Sequence, residues 1–169
     1  MKQSKRTRWI AEGAIIAALY VVLTLIFAPI SFGPIQVRIA EALTILPMFT
    51  NSAVPGLFLG CILGNTLGGG IPLDVIFGSL ATLIGAIGGY LLRNNRWLVP
   101  IPTIVANTII VPFVLKYGYG INDIAMPLMF VYIFVGEVVG CYLLGEILGM
   151  ALLKRKLKIS EETTVKGDN

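Results

Sequence analysis

The sequence predicts an all-α membrane protein of six transmembrane helices, and three observations carry that prediction. Of its 169 residues, 56% are hydrophobic and 13% are charged, whereas a soluble domain carries about 25% charged residues. Apolar runs separated by short polar, glycine-rich or proline-rich breaks fill nearly the whole chain. The basic residues, finally, cluster in alternate breaks, as repeated membrane crossing requires. No room remains for a separate soluble domain. The expected organisation is a six-helix transmembrane domain over 1–158 and a polar cytoplasmic tail over 159–169.

The first run, 9–28, has about the ~20 residues that cross a bilayer. Lys2, Lys5, Arg6 and Arg8 before it resemble the start of a signal peptide, but the run is long and Pro29 after Ala28 makes a poor cleavage site. A retained first span is expected. The second run, 35–49, is short and opens on Arg38 and Glu41; Thr50, Asn51 and Ser52 then form a polar turn. The third, 54–67, ends in three glycines, and the fourth, 72–92, is followed by Arg93-Asn94-Asn95-Arg96. The fifth, 97–116, contains proline, and the sixth runs over 125–153.

Six crossings place both termini on one side with the second–third and fourth–fifth breaks. That side holds 11 of the 13 basic residues, leaving Arg38 and Lys116 opposite. Both termini are therefore expected in the cytoplasm. The same distribution accounts for the net charge of +4 without nucleic acid. The outer side then collects Arg38, Glu41, the Gly68–Pro72 stretch, Asp74 and the Tyr117–Asp123 stretch.

Small residues predict how the helices meet, because association in lipid depends on close backbone approach. Gly56, Gly60, Gly64 and Gly68 recur every four residues, and Gly85/Gly89 and Gly136/Gly140 repeat the spacing. Ala11, Ala14 and Ala18 form a stripe on the first span, suited to internal packing or to a partner membrane protein.

Polar groups inside the spans are the candidate site. A charge at the centre of a lipid-exposed helix costs about 2.5–3.5 kcal/mol on insertion scales, so such groups face protein or a polar cavity. Arg38 and Glu41 share a helix face at i, i+3. They form either a neutralised pair fixing the helix start or the polar lip of a solute site. Glu137 lies about eleven residues into the sixth span and is either functional or a protonated, internally bonded acid. Asn107, with Thr103 one turn before it and Pro102 and Pro112 on either side, marks a polar face on the fifth span. Asn65 interrupts the glycine ladder. Asp74 suits a helix N-terminus. Glu12 is expected to pair with Arg8, and Glu146 to pair with a basic residue or touch a partner. Cys61 and Cys141 read as packing residues without metal-ligand spacing.

The chain has no histidine, no phosphate-binding Gly-x-x-x-x-Gly-Lys-Ser/Thr run and no serine nucleophile elbow. It reads as a binding or conducting unit, not an enzyme, and any concentrative transport needs energy from elsewhere. A stand-alone proton-coupled carrier using Glu137 is the alternative.

Three stretches in order resemble the signature of the QueT family: 35–47 (IQVRIAEALTILP), 55–65 (PGLFLGCILGN) and 73–82 (LDVIFGSLAT). The resemblance covers the first span through the sixth. It implies a queuosine-precursor transporter of the prokaryotic plasma membrane, the substrate-binding S-component of an energy-coupling factor (ECF) transporter. It also implies a six-helix S-component fold, a transmembrane coupling protein and two ATPase subunits as partners, and no cofactor. Ala14 and Ala18 match the Ala-x-x-x-Ala motif by which S-components meet the coupling protein. The implied substrate is an aminomethyl-deazaguanine such as preQ1. Glu41, Asn65, Asp74, Asn107 and Glu137 supply suitable chemistry, with Arg38 holding Glu41. Another vitamin or nucleobase is the alternative ligand.

Overall fold

The computed structural model describes residues 4–31 and 37–155. Ile35 and Gln36 of the second run, and the 159–169 tail, lie outside the described residues. Among those described the fold is wholly helical. Helix α1 is Lys5–Ile26 and leads into a single helical turn, Ala28–Ser31. Then follow α2 (Ile39–Met48) and α3 (Ala53–Leu67). Helices α4 (Asp74–Leu91), α5 (Arg96–Gly118) and α6 (Met126–Arg155) complete the bundle. Each corresponds to one apolar run of the sequence. Four of them, α1, α4, α5 and α6, are long and apolar enough to cross a membrane; α2 and α3 are shorter apolar helices.

Helix α2 is the axis of the bundle. It is a 3-10 helix of 10 residues, and at about 2.0 Å rise per residue it reaches further than an α-helix of equal length. Ala40, Glu41, Ala42, Leu43, Thr44, Ile45 and Pro47 are all buried. It is thus enclosed by its neighbours, and glycines let α6 close upon it. A Cβ on Gly140 would stand 2.8 Å from the Arg38 carbonyl oxygen, and one on Gly149 would stand 3.1 Å from Ile45 Cγ1.

The glycine ladder of α3 faces α1. A Cβ on Gly56 would lie 2.7 Å from the Gly13 carbonyl oxygen, and one on Gly60 2.7 Å from Tyr20 Cβ. Gly64 meets Thr24 in the same way. On α4, Gly85 and Gly88 admit Thr103 and Pro102 of α5, and Gly89 admits the Val99 carbonyl. Close backbone approach therefore unites α1 with α3, α4 with α5, and α2 with α6.

One end of the bundle is tied by polar contacts. Arg8 Nε bonds Glu12 Oε1 at 3.0 Å, and Glu12 Oε2 accepts from Thr50 and Ser52 hydroxyls at 3.1 and 3.2 Å. Trp9 Nε1 donates to Asn51 Oδ1 at 2.8 Å. At the same end Arg96 pairs with Glu146 at 3.6 Å. Both acids thus behave as expected. The outer surface is apolar, with Ile15, Leu59, Ile84, Ile109 and Phe134 each at least half exposed or close to it.

Candidate functional site

Three features of the backbone aim the central polar groups. The chain is extended at Arg38 (φ −87°, ψ 100°) before α2 begins, which turns this side chain toward α4 and not along α2. Wide π-helical turns occupy Asp74–Gly78 in α4 and Val138–Leu144 in α6. Such turns insert an extra residue and shift the face a helix presents, and they recur at functional sites. Asp74 lies in the first π turn, Glu137 immediately precedes the second, and Cys141 lies within it.

Arg38 Nη2 stands 3.2 and 3.3 Å from the Asp74 carboxylate oxygens, with exposures of 4% and 0% for the two residues. The sequence expects Arg38 beside Glu41 and Asp74 at a helix start; the structure adds a buried ion pair between Arg38 and Asp74, while Arg38 also acts electrostatically on Glu41. The i, i+3 rule assumes that both residues are helical, and Arg38 is not. Asn65 Nδ2 donates to the Asp74 carbonyl oxygen at 3.3 Å. Gly78 makes room for this group: a Cβ there would lie 2.8 Å from Asp74 Oδ1 and 3.2 Å from Asn65 Nδ2.

Glu41 is held from α1 by Tyr20, whose hydroxyl donates to Oε1 at 2.5 Å. Its Oε2 is buried without a partner of ordinary hydrogen-bond geometry, although Thr82 of α4 acts on the same carboxylate. Across from it, Cys141 Sγ donates to Glu137 Oε2 at 3.1 Å. Ligand atoms of Glu41, Glu137 and Cys141 all lie within 4.8 Å of one another, so these three residues could hold a cation. Asn107 acts on Glu137 from α5, yet neither its Oδ1 nor its Nδ2 has a partner of ordinary hydrogen-bond geometry. Arg38 also acts electrostatically on both Glu41 and Glu137, joining the two halves of the cluster.

At the end of α4 that bears Asp74, Tyr119 closes the arrangement. Its hydroxyl donates to Asp74 Oδ2 at 3.1 Å and accepts from the Ile71 N–H at 3.4 Å. Burial and then the Asp74 carboxylate push its phenol above the ordinary value, so it remains a proton donor to Asp74.

The structure therefore brings together all six polar residues singled out in the sequence: Arg38, Glu41, Asn65, Asp74, Asn107 and Glu137. None is more than 4% exposed, so the cluster is closed to solvent as it stands. Ala14 and Ala18 lie elsewhere, exposed on the outer face of α1. Tyr20, Tyr119 and Cys141 also contact this cluster; the sequence reads Cys141 as a packing residue, whereas its Sγ donates to Glu137. Tyr20 could have been found from its place one turn from Thr24, opposite the glycine ladder; Tyr119 and Cys141 carry no such signal.

Clefts elsewhere are lined by other side chains. One of about 330 Å³ is lined by Leu73, Phe77, Phe113 and Tyr117, and one of about 430 Å³ by Ile84, Ile101, Pro102 and Val105. Ile109 and Ile110 border both, and neither has the polar groups that would orient a nitrogenous ring. A third, of about 290 Å³, is lined by residues including Thr50, Asn51, Tyr90 and Arg93.

Buried polar atoms without partners are rare in folded proteins and costly, so a centre holding several is arranged for something besides stability. An apolar exterior around such a centre defines a multi-pass helical membrane protein. The chain belongs to the QueT transporter family, whose model matches residues 10–154; this is a family of transporters, not enzymes. It is 42% identical over 97 residues to the Queuosine precursor transporter QueT of Lactococcus lactis subsp. cremoris (strain MG1363). That match spans 56% of this chain and 56% of the relative, about half the length of each. No solved structure matches the chain.

Proposed function

We propose that this chain is the substrate-binding S-component of an ECF-type importer that takes up a queuosine precursor, an aminomethyl-deazaguanine such as preQ1. The observation that supports it most is the meeting of five polar side chains from five helices, with Arg38 from the segment before α2, in one buried cluster with unsatisfied acceptors. A deazaguanine offers adjacent N–H donors and a carbonyl on its ring edge, and an ammonium on its arm. Carboxylates and amides complement all three. In this reading the six helices all span a prokaryotic plasma membrane with both termini cytoplasmic. The mouth near Arg38, Asp74 and Tyr119 faces outward.

The sequence contains no nucleotide-phosphate loop, so import against a gradient draws on a transmembrane coupling protein and two ATPase subunits. Ala14 and Ala18 are the docking stripe for the coupling protein, and their exposure on α1 supports that role. A proton-coupled carrier is the second reading, favoured by the proximity of Glu41 and Glu137.

Equilibrium binding to the purified full chain tests the substrate. Saturable binding of the aminomethyl-deazaguanine, with no binding of common vitamins, is expected; the reverse pattern refutes the assignment. Uptake that survives loss of the ATPase module but stops with a proton uncoupler would establish the carrier instead. Replacing Ala14 and Ala18 by leucine is expected to abolish co-purification with the coupling protein and leave ligand affinity within about twofold, as for distant independent sites. A complex retained by that double variant would place the docking surface elsewhere.

A further inference from the structure

We propose that Glu41, Glu137 and Asn107 form a three-acceptor clamp for the primary ammonium group of the ligand, with Tyr20 and Cys141 as positioning residues. The assignment rests on the substrate reading above and adds which groups hold the charged arm. The charge balance of the centre supports it. Glu41, Asp74 and Glu137 are buried there with one guanidinium, Arg38. Asp74 already accepts from Arg38 and from Tyr119. Glu41 and Glu137 receive hydrogen bonds from neutral groups, Tyr20 and Cys141. Two carboxyl groups this close in a dry interior call for a further positive charge or a bound proton.

Geometry selects the ammonium over the flat ring edge. The ring edge pairs best with both oxygens of one carboxylate, and one oxygen of each acid already accepts from its positioning residue, which competes with that two-point pairing. What remains is the partnerless Glu41 Oε2, the carboxylate of Glu137 and the partnerless Asn107 Oδ1. An ammonium has three N–H donors and no acceptor. With charge-assisted bonds near 2.8 Å and tetrahedral angles, its acceptors stand about 4.6 Å apart. A ligand oxygen of Glu41 and one of Glu137 lie within 4.8 Å of each other, a separation that suits two of the three N–H donors.

The test compares two compounds on the chelator-treated full chain: the aminomethyl-deazaguanine and its nitrile counterpart with an uncharged arm. The wild type is expected to bind the amine at least about 100-fold more tightly than the nitrile, because the nitrile leaves the clamp's acceptors unpaired. In Glu137→Gln and Glu41→Gln, shape-preserving changes, that preference is expected to fall below about 10-fold. Tyr20→Phe, which frees Glu41, is expected to weaken the amine and leave nitrile affinity unchanged. Equal wild-type affinity for amine and nitrile overturns the clamp while the substrate reading stands. Failure of both compounds to bind removes the substrate reading and the clamp with it. Tight zinc binding that excludes the amine would make the cluster a metal site and overturn the assignment.

Discussion

Replacing Arg38 with methionine is expected to lower the midpoint of thermal unfolding by on the order of 10 °C, and adding Asp74→Asn to recover much of the loss. The ion pair at 3.2 Å is fully enclosed, with Asp74 at 0% exposure. Removing one member of such a pair leaves an uncompensated charge and costs about 3–5 kcal/mol. For a chain of this size each kcal/mol moves the midpoint by about 2–4 °C, on the soluble-protein scale. Asparagine at position 74 keeps the shape and can still accept from the Tyr119 hydroxyl, so the double variant leaves no unpaired charge at position 74. The single variant should therefore be the least stable of the series, although it changes one residue fewer. A double variant as unstable as the single one would show that the two side chains do not balance each other.

The second large effect is expected at Gly60. A Cβ there would lie 2.7 Å from Tyr20 Cβ and 3.1 Å from the Ala17 backbone. Gly60→Val cannot be absorbed by a flexible side-chain end, and α1 must move away from α3. Overpacking of this kind costs about 1–3 kcal/mol or more. It also acts at a distance, since displacing Tyr20 withdraws the donor that holds Glu41. Ligand affinity is expected to fall by at least about 10-fold, the equivalent of ~1.4 kcal/mol. Gly69→Ala is the control. It meets nothing within 4 Å, and its φ of +83° makes the penalty purely conformational. That costs about 1–2 kcal/mol locally and leaves affinity unchanged. Unaltered binding by Gly60→Val would separate the α1–α3 contact from the site.

Most of the architecture was legible because hydropathy and glycine spacing report directly on what lipid demands. Every apolar run became one helix, and Gly56, Gly60 and Gly64 face α1 as their spacing implies. Polar candidates were legible for the same reason: an acid or amide in an apolar segment has few places to go, and all six found one another. Partners were harder. Arg38 and Glu41 suggest a pair by spacing, but the extended backbone at Arg38 depends on how α2 meets its neighbours. The π turns that aim Asp74 and Glu137 leave no mark in the hydrophobic pattern. Tyr20 and Cys141 look like core residues by composition; their polar tips matter because a carboxylate from another helix arrives beside each.

The claim beneath the proposed activity is that the buried acids and amides form one ligand site. A structure of the full chain with the aminomethyl-deazaguanine bound tests it most directly. The predicted result is the ligand enclosed at the centre, with its ammonium among Glu41, Asn107 and Glu137. A ligand seated instead in the apolar cleft at Phe77 and Phe113, or beside Tyr90 and Arg93, with the central cluster undisturbed, would contradict it.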